Sequence, residues 1–190
     1  MIAAFEMGWG QGMVVVSEGR LVAVDLHPPV GPRGHRAVAG GMAPEPAGVA
    51  TEDQEVLDRW VRELEAYFRG ERLGWSAEEV PLGRLEVPSF DRSVYEALLS
   101  VPAACTISYG ALAELAGYPR AARAVGNAMA NNPIPIVVPC HRVIYSDGRL
   151  GHYGSDDGWK ERLLAHEERC AALAGRGAAP ADPGNAGEGS

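Results

Sequence analysis

The feature that most constrains this chain is a change of apolar period at Thr51. Before it, Met13–Ser17 and Arg20–Leu26 are runs rich in β-branched residues on either side of Glu18-Gly19, the pattern of a hairpin with a two-residue turn. After it, Val56, Trp60, Leu64 and Phe68 recur every four residues. That stripe predicts an amphipathic helix, with Thr51 or Asp53 as its cap and Gly70 as its end. A sheet and a helix with one apolar face each are stable only when those faces are buried together. Between them, over roughly 27–48, Pro28, Pro29, Pro32, Pro44 and Pro46 stand among glycines without any apolar period, so this stretch reads as a loop.

The rest of the chain reads as short helices. A connector with Pro81 and Pro88 leads to a helix from near Ser89 with Val94, Leu98 and Leu99 on one face, stopping before Pro102. Ser108 is placed to cap a helix through Ala116 that Gly117 ends. Tyr118-Pro119 opens the next helix, over 119–130, with proline in a permitted first-turn position. Two short helices joined at a glycine make a helix-turn-helix. The stretch 131–135 is irregular, Ile136–Val138 reads as a short buried extended run, and Ser146-Asp147-Gly148 as a turn. Asp157 is placed to cap a last helix to about Ala172, with Trp159, Leu163 and Leu164 inward, and 174–190 has the composition of a disordered tail. The expected class is therefore α/β (α+β): a small sheet-plus-helix domain over 1–88 and a mostly helical domain over 89–173 carrying the helix-turn-helix.

Composition excludes several classes. No apolar run approaches the roughly 20 residues of a membrane-spanning helix, and Glu6 and Gly10 interrupt the start where a leader would have its apolar block. A cytoplasmic protein with no membrane partner is the expectation. Cys105, Cys140 and Cys170 are odd in number and widely spaced, which suits reduced thiols better than a disulfide framework. His27, His35, His141, His152 and His166 have no ligand spacing with them, so neither a metal nor a cofactor is expected. The net charge of −8 argues against nucleic acid, but its distribution weakens the objection. Residues 1–88 carry 8 basic and 14 acidic side chains, whereas 101–155 carry four arginines against Glu114 and Asp147.

The segment that carries chemistry is Ile136-Val137-Val138-Pro139-Cys140-His141-Arg142-Val143. Proline removes a backbone donor and bends the chain, so the thiol can face a cavity, and the adjacent histidine can take its proton. A bare Cys-His pair is more often a buried structural cysteine beside a hydrogen-bonded histidine. The wider context changes that weighting. Asn132-Pro133-Ile134-Pro135-Ile136 precedes the motif, and Ser146-Asp147-Gly148 and Gly151-His152-Tyr153-Gly154 follow it. Val101-Pro102, Ile107-Ser108-Tyr109-Gly110, Ala121-Ala122-Arg123-Ala124-Val125-Gly126, Trp159-Lys160-Glu161 and Leu163-Leu164-Ala165-His166-Glu167 flank these in order. Together they resemble the O6-alkylguanine-DNA alkyltransferases. The resemblance is strong from about Phe90 to Glu167 and loose before it, through the early hairpin and Leu64-Glu65-Ala66-Tyr67-Phe68-Arg69-Gly70-Glu71.

That resemblance implies a DNA repair protein acting by direct reversal of damage. Cys140 would accept the alkyl group of O6-alkylguanine in double-stranded DNA irreversibly, once per molecule, in a protein working as a monomer. His141 would be its base through a bridging water, Glu167 would orient His141, and Asn132 would brace the turn. Tyr109 would crowd the target's phosphate and help the leaving guanine accept a proton. The second helix would enter the minor groove, where Arg123 replaces the flipped nucleotide and Ala122 and Gly126 allow close approach, with Ser108 also on the DNA side. Val143, Tyr153, Gly154 and Met129 would line the guanine pocket. The residues themselves leave plainer readings open: a solvated carboxylate at Glu167, a loop asparagine at Asn132, a core tyrosine at Tyr109, one exposed arginine on an alanine-rich helix at Arg123.

The chain departs from the family pattern at Asp91 and Tyr95, at Ala103-Ala104-Cys105 where Tyr-Gly-Glu is commoner, at Gly154, and at Ala130, which lacks a positive charge. The alternatives are a non-catalytic lesion-sensing relative, against which Cys140 argues, a cysteine hydrolase, and a helix-turn-helix transcription factor. Acceptance of O4-alkylthymine is left open.

Overall fold

Strands β1 (Ile2–Glu6), β2 (Gln11–Ser17) and β3 (Arg20–Asp25) form an antiparallel sheet in that order in the computed structural model, which describes residues 1–26, 52–151 and 158–177. The expected hairpin is β2–β3. Its turn residues Glu18 and Gly19 have φ of 52° and 68°, the left-handed pair whose twist matches the strands. The Asp53 carboxylate accepts the Gly19 N–H, so Asp53 secures the hairpin from within a helix instead of capping that helix. Strand β1 was not expected, since it lacks a β-branched run; it forms by pairing Ile2 with Val15 through Glu6 with Gln11. A bulge opposite Val15/Val16 resets the alternation of β3, so Leu21 and Val24 both turn inward with Val14 and Val16.

Helix α1 (Glu52–Phe68) covers this sheet. Its buried stripe is Leu57, Trp60, Leu64 and Tyr67, while Val56 and Phe68, the outer members of the expected stripe, are only partly buried. A helix turns every 3.6 residues, so a strict four-residue repeat drifts off the core face. The correction matters because it carries a phenol, Tyr67, into the interior.

Helix α2 (Ser89–Leu99) turns Val94, Tyr95 and Leu98 inward, with Leu99 only partly buried. Tyr95 Oη donates to the Ala128 carbonyl at 2.8 Å, tying α2 to the helix that bears Ala128. In helix α3 (Tyr109–Leu115), Ser108 Oγ accepts the Ala111 N–H at 3.1 Å as a cap, and Gly117 at φ 84° closes the far end. Helix α4 (Ala122–Ala130) begins later than Pro119 because Arg120 lies at φ 70°, which no helix accommodates. Residues 118–121 are instead a turn closed by the Ala121 N–H on the Tyr118 carbonyl.

Ile136–Val138 is buried as expected but is a turn, not a strand. The Val138 N–H bonds to the Ile134 carbonyl at 3.0 Å, and Ile136 sits at φ 74°, a conformation rare for a β-branched residue. A 3-10 turn, Cys140–Arg142, follows, and β5 (Val143–Ile144) pairs in parallel with β4 (Ile107–Ser108). The N-terminal sheet braces this region, since the Val24 N–H donates to the Pro133 carbonyl at 2.9 Å.

Helix α5 (Trp159–Gly177) is longer than expected and takes in 174–177 of the segment assigned to a tail. Trp159 and Leu163 point inward, Leu164 is half-buried, and Lys160, His166 and Glu167 are buried with them. Trp9 meets Phe68, Trp159 and His166 edge-on at centroid distances of 5.4, 6.0 and 5.7 Å, joining the β1–β2 loop to α1 and α5. Among the described residues, no helix is long and apolar enough to cross a membrane. The 27–48 stretch, Thr51, Tyr153, Gly154 and Asp157 lie outside the described residues.

Candidate active site

Cys140 opens the 3-10 turn behind Pro139 and is 6% exposed. The Asn132 side chain fixes both sides of the bend. Its Nδ2 donates to the Val138 carbonyl at 2.9 Å and to Cys140 Sγ at 3.1 Å, while its Oδ1 accepts the Ile134 N–H at 3.1 Å. The amide thus sets the position of the sulfur and offers it a donor that favours thiolate.

His141, next in the turn, is fully buried, and its Nε2 lies 2.9 Å from Glu167 Oε1. Glu167 projects from the inner face of α5 and is fully buried too, which rules out the solvated carboxylate. Further donor bonds converge on it from Arg142, Tyr67 and Ala104. Arg142 Nη2 reaches Oε1 at 2.7 Å and Nε reaches Oε2 at 3.1 Å, Tyr67 Oη donates to Oε1 at 2.9 Å, and the Ala104 N–H donates to Oε2 at 2.8 Å. Two more guanidinium hydrogens serve the Val101 and Leu73 carbonyls at 2.7 and 2.6 Å. Every contact here involves an ionised group and most are buried, where such bonds are strongest.

The electrostatics follow from this arrangement. Burial pushes the Glu167 carboxyl up, but hydrogen bonds from His141 and Arg142 overcome it and hold the group at about 2. Burial lowers the His141 imidazole below its ordinary range; Glu167 opposes that shift, and Arg142 and Lys160 reinforce it. His141 is therefore neutral near pH 7, and a proton on Nε2 facing Glu167 makes Nδ1 the basic nitrogen. Burial and Glu167 both raise Tyr67, which stays a phenol and a donor. Lys160, buried, donates to the Val143 carbonyl and lies 5.8 Å from the Tyr109 ring centroid. Burial lowers its pKa, and Cys140 opposes that shift, so the ammonium and the sulfur sense each other.

Tyr109, half-buried on the first turn of α3, packs against Tyr145 at 5.3 Å between ring centroids. Gly151 adjoins the pair: at φ 72°, a Cβ there would lie 3.0 Å from the Tyr145 ring and 3.3 Å from Tyr109 Oη. On α4, Val125, Ala128 and Met129 face the core while Arg123 is exposed. Ala122 is half-buried, and a Cβ added at Gly126 meets nothing within 4 Å, so this face is slim and open. Ser108 Oγ is engaged by its cap and Val143 is buried in β5. Of the four arginines counted in 101–155, Arg142 is internal and Arg149 pairs with Asp147 at 2.7 Å, which leaves Arg120 and Arg123 exposed on the helix-turn-helix.

The structure thus gathers Cys140, His141, Glu167 and Asn132 in one cluster, with Tyr109 connected to it through Lys160. Sequence reasoning passed over Tyr67, Arg142, Lys160 and the Ala104 N–H. The available signal was an arginine between His141 and Val143 and a lysine directly after Trp159, each beside a residue that is buried: a buried charge requires a partner.

Fold and site together define a helix-turn-helix protein with a cysteine–histidine–glutamate centre. Residues 89–169 match the family model described as 6-O-methylguanine DNA methyltransferase, DNA binding domain. The methylated-DNA–protein-cysteine methyltransferase of Mus musculus is 52% identical over 111 residues, 55% of this chain and 51% of that protein. The protein of the same name from Methanosarcina acetivorans is 43% identical over 126 residues, 61% of this chain and 78% of that protein. The solved structure of Mycobacterium tuberculosis OGT in complex with DNA superposes with a TM-score of 0.69 at 32% identity, covering 89% of this chain and 93% of that one. The chain belongs to the methylated-DNA–protein-cysteine methyltransferase family. It spans about half the length of the mouse relative.

Proposed function

We propose that this chain repairs double-stranded DNA by moving the alkyl group of an O6-alkylguanine onto Cys140 Sγ, once per molecule. The observation that carries the reading is the pair of hydrogen bonds Asn132–Cys140 and His141–Glu167, which meet at one 3-10 turn in a chain with a helix-turn-helix. The thiol proton passes to neutral His141, directly or through a water, and Glu167 stabilises the imidazolium that results. The thiolate attacks the alkyl carbon; the S–C bond forms as the C–O6 bond breaks. The departing guanine takes up a proton, with Tyr109 as donor toward the base; burial raises the Tyr109 pKa, which keeps it protonated for that role. A thioether is not reversed by thiol exchange, so the protein is consumed.

An O6 substituent inside the duplex is out of reach of a buried sulfur, so the nucleotide must be flipped, at a cost of a few kcal/mol. Arg123, exposed on the slim face of α4, suits filling the vacated stack from the minor groove, with Ala122 and Gly126 giving close approach. Met129 and the Val143 backbone suit the pocket wall, as do Tyr153 and Gly154 by sequence. The division at residue 88, cytoplasmic location and monomeric action complete the proposal.

Intact mass after incubation with a duplex containing O6-methylguanine tests it. One added methyl on the wild type, absent from Cys140→Ser, is the expected result. Lesion-dependent binding with no mass change would overturn the transfer and favour a lesion sensor.

A further inference from the structure

We infer that Tyr67, on α1 and far from the thiol in sequence, is a positioning residue that sets how readily His141 takes a proton, acting through Glu167. The inference rests on the alkyl-transfer reading above. Tyr67 Oη donates to Glu167 Oε1 at 2.9 Å, the same oxygen that faces His141 Nε2 at 2.9 Å, and the hydroxyl lies 3.4 Å from that nitrogen. How strongly a carboxylate holds a proton on a neighbouring imidazole depends on the negative charge it presents. Each donor on Oε1 draws some of that charge away, so Tyr67 makes the imidazolium less favourable and keeps His141 available as a base.

The groups facing this pair come from several elements. The 3-10 turn supplies His141 and Arg142, and the Ala104 N–H comes from the turn before β4. Helix α5 supplies Lys160, which acts on His141, Cys170, which acts on Tyr67, and His166, whose ring lies 5.3 Å from the Tyr67 ring and whose Nε2 is 2.8 Å from the Tyr67 carbonyl oxygen. Among the described residues, two uncharged side chains hydrogen-bond Glu167, His141 and the Tyr67 phenol, and both do so at Oε1. The Tyr67 ring is held independently of its hydroxyl, stacked on Trp75 at 6.0 Å and edge-on to Phe68 at 5.2 Å. Tyr67→Phe therefore removes the donor and keeps the packing.

The sign follows directly. His141 must be neutral to receive the thiol proton, so Cys140 reactivity falls as pH drops through the imidazole pKa. Losing the Tyr67 donor raises that pKa and moves the acid limb to higher pH. The test follows the rate of Cys140 carbamidomethylation by iodoacetamide, read by peptide mass on the full chain, from about pH 5 to 9. Methyl transfer from an O6-methylguanine duplex is measured beside it. In Tyr67→Phe the acid limb is expected to move up by about half to one pH unit, making reaction about 3- to 10-fold slower on the limb and unchanged on the plateau. Site-specific replacement of Tyr67 by 3-fluorotyrosine, a stronger donor of nearly the same shape, is expected to move it the other way, and it keeps the test open if Tyr67→Phe folds poorly. Coincident limbs in all three proteins would overturn the inference, and so would a uniform slowing with the limb unmoved. A wild type that reacts with iodoacetamide but never takes a methyl overturns alkyl transfer instead, and the limbs then still judge Tyr67.

Discussion

Glu167 accepts hydrogen bonds from His141, Arg142, Tyr67 and the Ala104 backbone in a dry interior, whereas Arg123 projects into solvent from a helix of alanines. In the proposed function the two residues serve one site, as its proton-handling and docking ends, and they are held by opposite means. Around Glu167 both carboxylate oxygens collect donors, because a buried carboxylate left unpaired would cost several kcal/mol in that environment. Around Arg123 the helix is kept bare, since any larger side chain would hold a second body away. The proton-handling end of the site is thus bound into the stability of the fold, and the docking end is nearly independent of it.

Removing the carboxylate tests the first half of that contrast most severely. Glu167→Gln leaves Arg142 buried without its anion, and a loss of about 3–5 kcal/mol in urea unfolding is expected. Acid should single out the same cluster. The folded pKa of His141 lies below its ordinary 6.5, so the unfolded chain takes up that proton first and stability declines as pH falls below about 6.5. Glu167, held at about 2 against an ordinary 4.5, contributes stability that is present above about 4.5 and lost as pH falls toward 2. The second decline should be absent from Glu167→Gln; if the two acid-unfolding profiles run parallel, the cluster is not the acid-sensitive element.

Arg123→Ala examines the docking end. Stability should stay within about 0.5 kcal/mol, as at other exposed positions. Single-turnover transfer from a lesion in duplex DNA should slow about 10- to 100-fold, while transfer from the free O6-methylguanine base is unchanged. Equal slowing on both substrates would mean that Arg123 acts on the chemistry and not on extrusion.

The smallest effect is expected at Ala104, whose N–H serves Glu167 from a backbone at φ 60°. Alanine is strained there and glycine is not, so Ala104→Gly should gain up to about 1 kcal/mol with transfer unchanged. A measured destabilisation would show that the turn tolerates alanine without strain.

Much of the site was legible before any coordinates. Pro139-Cys140-His141 marked the thiol and the imidazole that the proposed function uses, the glycine between two short helices marked the helix-turn-helix, and Glu18-Gly19 marked the hairpin. Each is a local signal, carried by turn chemistry or by motif order along the chain. Where local signals competed, reading was less secure. Pro119 suggested a helix start that the left-handed Arg120 defers to Ala122, and three apolar residues at Ile136–Val138 suggested a strand where the chain makes a turn.

By itself, then, the sequence determined which residues belong to the family's motifs, most of the order in which the elements follow one another, and where Cys140 lies in that order. Only the tertiary structure decided what surrounds Glu167. Its donors lie 100, 63, 26 and 25 positions away along the chain, at Tyr67, Ala104, His141 and Arg142. Periodicity reports that a helix face is buried, yet it cannot report which side chain lies across the gap. A buried carboxylate must collect donors from whatever elements surround it, and that requirement is met by packing in three dimensions, where Tyr67 rather than Phe68 happens to face inward.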